Sequence, residues 1–160
     1  MNEFAERAFS FFVANSPTWR SLALGGPPAM VWAYACLHFA GHLKCRLHMK
    51  TGYTRKIFHF LIFTTAAVLQ VVSGTPALCL FGCMTSLVIF YAVARGPGCP
   101  LYEAMAREKD APRTTYYIIA PYFATLLGGL ASSIIFGPAA VAGYLVTGLA
   151  DAVAEPVGTR

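Results

Sequence analysis

Three side chains that could bind or act on a phosphate lie close together at the start of one apolar stretch. Arg55, Lys56 and His59 stand where an uncharged run begins at Ile57. Residues three and four apart share one side of a helix, so all three would project from one side of its first turns. Grouped cationic donors are suited to holding a phosphate chain. The alternative is a basic anchor at the membrane surface, although an anchor gains nothing from an imidazole inside an apolar run.

Two carboxylates, Asp151 and Glu155, follow the last apolar stretch one helical turn apart. Acids at membrane depth are rare and need a partner, a water-filled cavity or a metal ion. Two carboxylates at this spacing can share a hard cation such as Mg²⁺, which also bridges phosphate oxygens. Gly148 and Gly158, on either side, would let a nucleotide approach the backbone. The alternative is that the last span ends near Ala150 and both acids are solvated.

A third group of charges lies between the two long apolar stretches. Residues 101–109 are predicted to form a short interfacial helix, with Glu103 and Arg107 as an i,i+4 pair. Most of these charges are expected to form a solvated face. Lys109 and Arg113 are the expected exceptions, because they enter the next apolar run beside the other two clusters.

The elements that must position these groups are membrane helices. Residues 57–94 and 114–150 carry no Asp, Glu, Lys or Arg, and each run is broken by a turn signal, at Gly74 and at Gly137. A helix crossing the hydrocarbon core needs about 20 apolar residues, so each run is predicted to be two spans. The chain is 57% hydrophobic and only 12% charged, about half the charged fraction of a soluble domain.

The predicted fold is therefore all-α, a polytopic membrane helix bundle of about five transmembrane helices. An N-terminal segment, residues 1–20, could form an interfacial helix, and residues 21–160 are predicted to be a single transmembrane domain. The predicted spans cover residues 21–40, 57–73, 75–94, 116–136 and 138–155.

Basic residues predict the orientation of this bundle. Loop 41–56 carries five Lys or Arg and loop 95–115 carries four, whereas the turns at Gly74 and Gly137 carry none. The positive-inside rule places both loops and the C-terminus in the cytoplasm. The net charge of +5 is therefore attributed to topology and lipid headgroups, and no nucleic-acid partner is expected.

Small residues recur every four positions in the last two predicted spans and would let helix backbones approach closely. These residues are Ala124, Gly128 and Ser132 in the fourth span, and Ala139, Gly143 and Thr147 in the fifth.

Two of these motifs together resemble the dolichol kinase and phytol kinase family. One is R-K-x-x-H (Arg55, Lys56, His59) entering a span, and the other is the segment from Gly148 to Arg160, GLADAVAEPVGTR. Members of that family are polytopic enzymes that phosphorylate isoprenoid alcohols with CTP, and they are related to CTP-using phosphatidate cytidylyltransferases. Family members continue further, so the resemblance implies a C-terminally shortened version.

The resemblance implies a membrane-bound lipid kinase that uses CTP and Mg²⁺. Asp151, with Glu155, would hold the metal, and His59 would accept the proton of the alcohol or orient a phosphate. The expected nucleotide and phosphate contacts are Arg55, Lys56, Lys109, Arg113, Gly148, Gly158 and Arg160. Lys56, His59 and Asp151 are the expected catalytic residues.

Two other functions stay open from the sequence. The same groups could serve cytidylyl transfer to a lipid phosphate, or the chain could be a non-catalytic membrane module. The expected partners are membrane lipid, a long-chain isoprenoid alcohol and a nucleotide. A homo-oligomer is a further alternative, because a second copy could help five helices enclose both substrates.

Overall fold

The computed structural model describes residues 3–150, which fold into helices joined by short turns. The α-helices are α1 Glu3–Asn15, α2 Trp19–Leu47, α3 Thr51–Ser73, α4 Thr75–Arg95, α5 Pro100–Glu103, α6 Thr114–Phe136 and α7 Ala140–Leu145. Two 3₁₀ turns, Glu108–Asp110 and Gly137–Ala139, flank α6, and a π-helical turn, Val146–Ala150, continues α7. No strand occurs between residues 3 and 150. The predicted all-α fold class is confirmed over this range.

The first predicted span, residues 21–40, lies inside the longer helix α2. Thr18 caps its start, where the threonine hydroxyl accepts a hydrogen bond from the amide of Ser21 at 3.2 Å. The helix continues through Pro27 and Pro28 and ends at Leu47. The helix extends seven residues beyond the predicted end at residue 40, because the segment that carries Lys44 and Arg46 is also helical.

Both predicted tight turns are present. Gly74 joins α3 to α4 with a φ of 80°, a backbone conformation that glycine adopts without steric cost. Gly137, with a φ of 54°, ends α6. In a continuous helix, Ser133 and Tyr144 would be about 16 Å apart along the axis. Their hydroxyls are 2.5 Å apart instead, so the chain reverses at Gly137 and α7 runs back along α6.

Three helical segments are long and apolar enough to cross a membrane: Thr51–Ser73, Thr75–Arg95 and Thr114–Ala150. The third contains the reversal at Gly137, and of its two arms only α6, at 23 residues, has the length of a full span by itself. Helix α2 does not reach the same mean hydropathy. The membrane character of the chain agrees with the prediction, but the predicted number of five spans is not confirmed.

The two kinds of connection lie at opposite ends of the bundle. At one end, the amide nitrogen Nε2 of Gln70 donates to the carbonyl of Gly137 at 3.3 Å, which brings the two tight turns together. At the other end, Lys44 of the first basic loop pairs with Glu103 of the second. The two basic loops therefore share one end, as the charge pattern requires. The side of the membrane that this end faces stays a prediction.

Small side chains let α2 pack closely in the core. Ala33 and Ala40 lie on one face of α2 on either side of the larger Leu37, and all three are fully buried. Ala92 of α4 and Ala104, just after α5, are fully buried as well. Close approach of small residues is how helices associate in lipid, where burial of apolar surface between helices gives little driving force.

Candidate functional site

The first turns of α3 carry the predicted basic cluster. Arg55, Lys56 and His59 are all half-buried, and Arg55 and His59 line a cavity between the helices. The imidazole of His59 stands edge-on to the ring of Phe63, with the ring centroids 5.8 Å apart. Lys56 lies beside them on the same turns, away from the cavity wall. The structure thus brings two of the three predicted residues to one surface.

The cavity has a volume of about 440 Å³ and is predominantly apolar, which is within the range of ligand pockets. Helices α3, α4 and α6 form its walls, and Phe11 and Phe12 of α1 contribute to them. On α6, the lining residues follow a helical period from Ile118 through Tyr122 to Ser133. At 1.5 Å per residue, this face is about 22 Å long. A narrow amphiphile fits this shape better than a compact solute.

We call the region around Arg55 and His59 the basic end, and the opposite region around Tyr144 the tyrosine end. At the tyrosine end, the hydroxyl of Tyr144 is 2.5 Å from that of Ser133 and 3.3 Å from the carbonyl oxygen of Gly129. Ser133 is only 4% exposed. This hydroxyl pair holds the half-buried phenol ring in place, because separating the two groups would leave the buried hydroxyl of Ser133 without this partner.

Hydroxyl groups also occur midway along the cavity. Tyr122 of α6 donates a hydrogen bond to the hydroxyl of Ser86 on α4, which bridges the two helices across the cavity. Ser86 in turn donates to the carbonyl of Gly82 at 2.7 Å. The neighbouring Thr85 is 6% exposed, and its hydroxyl has no hydrogen-bond partner among the described residues.

Next to the basic end, residues 98–106 of the second basic loop pack into the bundle, and we call them the docked segment. Lys44 donates to the carboxylate of Glu103 at 3.1 Å and to the carbonyl of Ala106 at 2.8 Å. The hydroxyl of Thr51 donates to the same carbonyl at 3.0 Å, and that of Thr54 reaches the carbonyl of Ala104 at 3.1 Å. These bonds fix the docked segment, residues 98–106, against α2 and α3.

The docked segment corrects one prediction from the sequence. The interfacial helix expected over residues 101–109 ends at Glu103, and the ion pair expected between Glu103 and Arg107 does not form. Glu103 pairs with Lys44 and accepts a hydrogen bond from the amide of Gly98 at 3.1 Å. The apolar residues of this segment are buried against the bundle, and the chain leaves the helical conformation after Glu103. Glu103 and Arg107 are therefore not on one face of a helix, as an i,i+4 pair requires.

Sequence reasoning missed Lys44, Thr51, Thr54 and Glu103 as a group. The available signal was the apolar composition of residues 100–106, which predicts burial rather than a solvated loop. Met105 of this segment is 7% exposed and lines the cavity near the basic end. The docked segment therefore forms part of the cavity wall.

The remaining predicted cations lie at the surface. Lys109 and Arg113 are exposed and do not line the cavity. Their predicted contact with a nucleotide would have to be made outside the cavity, at the end of the bundle where the basic loops meet. That role stays a prediction.

Gly148 is buried and lies directly against α3. A side-chain carbon at this position would come within 2.6 Å of the Cβ atom of Phe63, closer than packed atoms allow. The missing side chain thus makes room for Phe63, one turn after His59. The predicted approach of a nucleotide to Gly148 stays untested.

The four other predicted residues, Asp151, Glu155, Gly158 and Arg160, lie outside the described residues. Between residues 3 and 150, no group of three His, Cys, Asp or Glu side chains could hold a metal ion. The predicted Mg²⁺ site depends wholly on the two acids after residue 150 and stays a prediction. No family model, no curated protein and no solved structure matches the chain.

Proposed function

We propose that this chain is a membrane enzyme that transfers a phosphoryl group from CTP to a lipid alcohol of the isoprenoid type. One observation carries the proposal: a guanidinium and an imidazole, those of Arg55 and His59, line one end of a long apolar cavity between membrane helices. The cavity suits a hydrocarbon tail, and the basic end suits a hydroxyl that must meet a phosphate.

The chemistry assigned to the basic end is a single displacement. The hydroxyl oxygen of the lipid attacks the γ-phosphorus of CTP, the bond between this phosphorus and the β–γ bridging oxygen breaks, and CDP leaves. His59 accepts the proton of the hydroxyl, and Arg55 and Lys56 offset the charge of the transferred group. Positioning and electrostatics of this kind account for most catalysis of phosphoryl transfer.

Mg²⁺, when bound by Asp151 and Glu155, would neutralise charge on the nucleotide phosphates. The packing of Gly148 against Phe63 supports this assignment, because it brings the chain alongside α3 three residues before Asp151. Lys109 and Arg113 would contact the nucleotide from the loop surface.

The test is a product assay on the purified full-length protein in detergent, supplied with Mg²⁺, CTP and an isoprenoid alcohol. A kinase forms CDP and a lipid monophosphate. Release of pyrophosphate from CTP and a lipid phosphate would instead support cytidylyl transfer, and no turnover of either kind would support a non-catalytic membrane module.

Variants locate the activity at the basic end. His59→Gln should lower kcat by about 10²- to 10⁴-fold, the usual contribution of a positioned acid or base. Asp151→Ala should abolish turnover. Lys50→Ala is the matched control, since Lys50 is an exposed cation immediately before α3. Turnover that survives Asp151→Ala, or falls equally in Lys50→Ala, would contradict the proposal.

A further inference from the structure

The tyrosine end of the cavity has a feature that the transfer reaction does not require. The phenol ring of Tyr144 lines the cavity, and its hydroxyl is anchored by Ser133 and the carbonyl of Gly129. Tyr144 belongs to α7, which folds back along α6 after Gly137. The fold-back therefore places an anchored aromatic group on the cavity wall beside Gly129 and Ser133, toward the end of the lining face of α6 that is opposite Ile118.

The packing around the ring explains why it sits there. Gly129 has no side chain, and a Cβ atom at this position would lie 3.6 Å from the Cε1 atom of Tyr144, in ordinary van der Waals contact. The ring thus packs beside Gly129, with room for one carbon between the ring and the backbone of α6. Next to it, Gly143 of α7 faces Ser132 of α6, with 3.9 Å between the Cβ position of Gly143 and the serine oxygen. Close packing at both positions restricts movement of the ring.

We infer that Tyr144 sets the maximum length of the lipid tail. This inference rests on the proposed function, in that it assumes a lipid head at the basic end. The lining face of α6 is about 22 Å long, and an extended chain advances about 1.2 Å per bond, as three backbone bonds of a polypeptide span about 3.3–3.6 Å. The ring packs against Gly129, which lies about 16 Å along α6 from Ile118, so the cavity holds about 14 chain atoms between the basic end and the ring.

The ligand class that follows is a lipid with one tail of that length and a polar head. Longer polyprenols would place most of their chain beyond Tyr144, which the anchored ring prevents. A phospholipid from the bilayer has two tails, and a cavity of about 440 Å³ is expected to take one tail rather than two.

The test measures binding as a function of tail length. Purified full-length protein is exchanged in detergent against single-chain primary alcohols and linear isoprenoid alcohols of increasing length, and the retained alcohol is quantified by mass spectrometry. The tail is transferred to the protein from a detergent micelle rather than from water. Each added carbon should therefore increase the binding affinity only slightly until the limit is reached. Beyond about 14 chain atoms, retention should fall about tenfold or more, as expected when a fitted pocket rejects excess length.

Variants at the tyrosine end identify the residue responsible. Tyr144→Ala and the less drastic Tyr144→Leu should both move the limit to longer tails by several chain atoms. Tyr116→Ala is the matched control, because Tyr116 lies on α6 and is 63% exposed; its limit should equal that of the unaltered protein. Retention that shows no length limit, or a limit that moves in neither Tyr144 variant, would overturn the inference.

The proposed function fails in a different way. CDP formation is measured in the same samples, and a tail-length limit without CDP would remove the kinase but leave the role of Tyr144 intact. CDP formation without a length limit would support the kinase and refute the role of Tyr144. Exclusive retention of two-tailed phospholipid would refute the single-tail site itself.

Discussion

Replacing Lys44 by methionine should destabilise the bundle by about 2 kcal/mol. The lysine side chain is 14% exposed and that of its partner Glu103 is 27% exposed, so the pair is intermediate between a surface ion pair, worth about 0–1 kcal/mol, and a buried one, whose disruption costs about 3–5 kcal/mol. Methionine keeps the length of the apolar stem but removes the hydrogen bonds to Glu103 and Ala106. Hydrogen bonds to charged groups contribute about 1.5–3 kcal/mol. The amide of Gly98 still donates to Glu103, which keeps the loss near the lower part of this range.

The assay is thermal unfolding of the purified protein in one detergent, with Lys50→Met as the control. About 2 kcal/mol corresponds to a lowering of Tm by roughly 4–8 °C for a chain of this size, whereas the exposed Lys50 should change the free energy of unfolding by less than about 0.5 kcal/mol. A double-mutant cycle with Glu103→Gln isolates the pair, and its coupling energy should be about 1 kcal/mol or more. Equal Tm values for Lys44→Met and Lys50→Met would refute the view that the docked segment is held by this ion pair.

Three further outcomes follow from packing and exposure. Gly41→Ala should strongly destabilise the fold, because the added carbon would come within 2.1 Å of the carbonyl oxygen of Pro100; Gly128→Ala, whose added carbon meets nothing within 4 Å, should leave Tm unchanged or raise it slightly. Gly148→Ala should lower Tm, since the aromatic side chain against it cannot retreat without moving α3, and an unchanged Tm would contradict this packing. The exposed Cys45 should react with a membrane-impermeant maleimide only after intact cells are permeabilised, and labelling from outside would reverse the predicted orientation.

Local sequence signals predicted the helices and their turns well. Gly74 and Gly137 interrupt uncharged runs, and the backbone at both positions has the positive φ that makes glycine suitable. Small residues at every fourth position of the fourth and fifth predicted spans were expected to line a close contact between these helices, and only some of them do. Ser132 and Gly143 meet across α6 and α7, whereas nothing packs within 4 Å of the Cβ position of Gly128. Spacing predicts which face is small, but the rotation of a helix about its axis depends on its partners.

The docked segment was not predictable from local spacing. Lys44 and Glu103 are far apart in sequence, and their pairing depends on how α2 packs against the loop that follows α4. Helical periodicity instead suggested a pair between Glu103 and Arg107, because i,i+4 neighbours are the only partners that a single helix reveals. Burial of Leu101 and Tyr102, each 2% exposed, outweighs that local pair. The cavity was likewise invisible in the sequence, since its lining comes from five separate helices and from Met105 of the docked segment.

The ion pair at Lys44 also bears on the predicted orientation. Lys44 is one of five basic residues in loop 41–56, and in the structure it holds the docked segment. Four basic residues remain in that loop without it, and acidic residues such as Glu103 contribute little to the positive-inside bias. Loss of Lys44 should therefore weaken the fold without inverting the chain. A Lys44→Met variant that unfolds at lower temperature, yet keeps Cys45 protected in intact cells, would separate the structural role of this cation from its topological one.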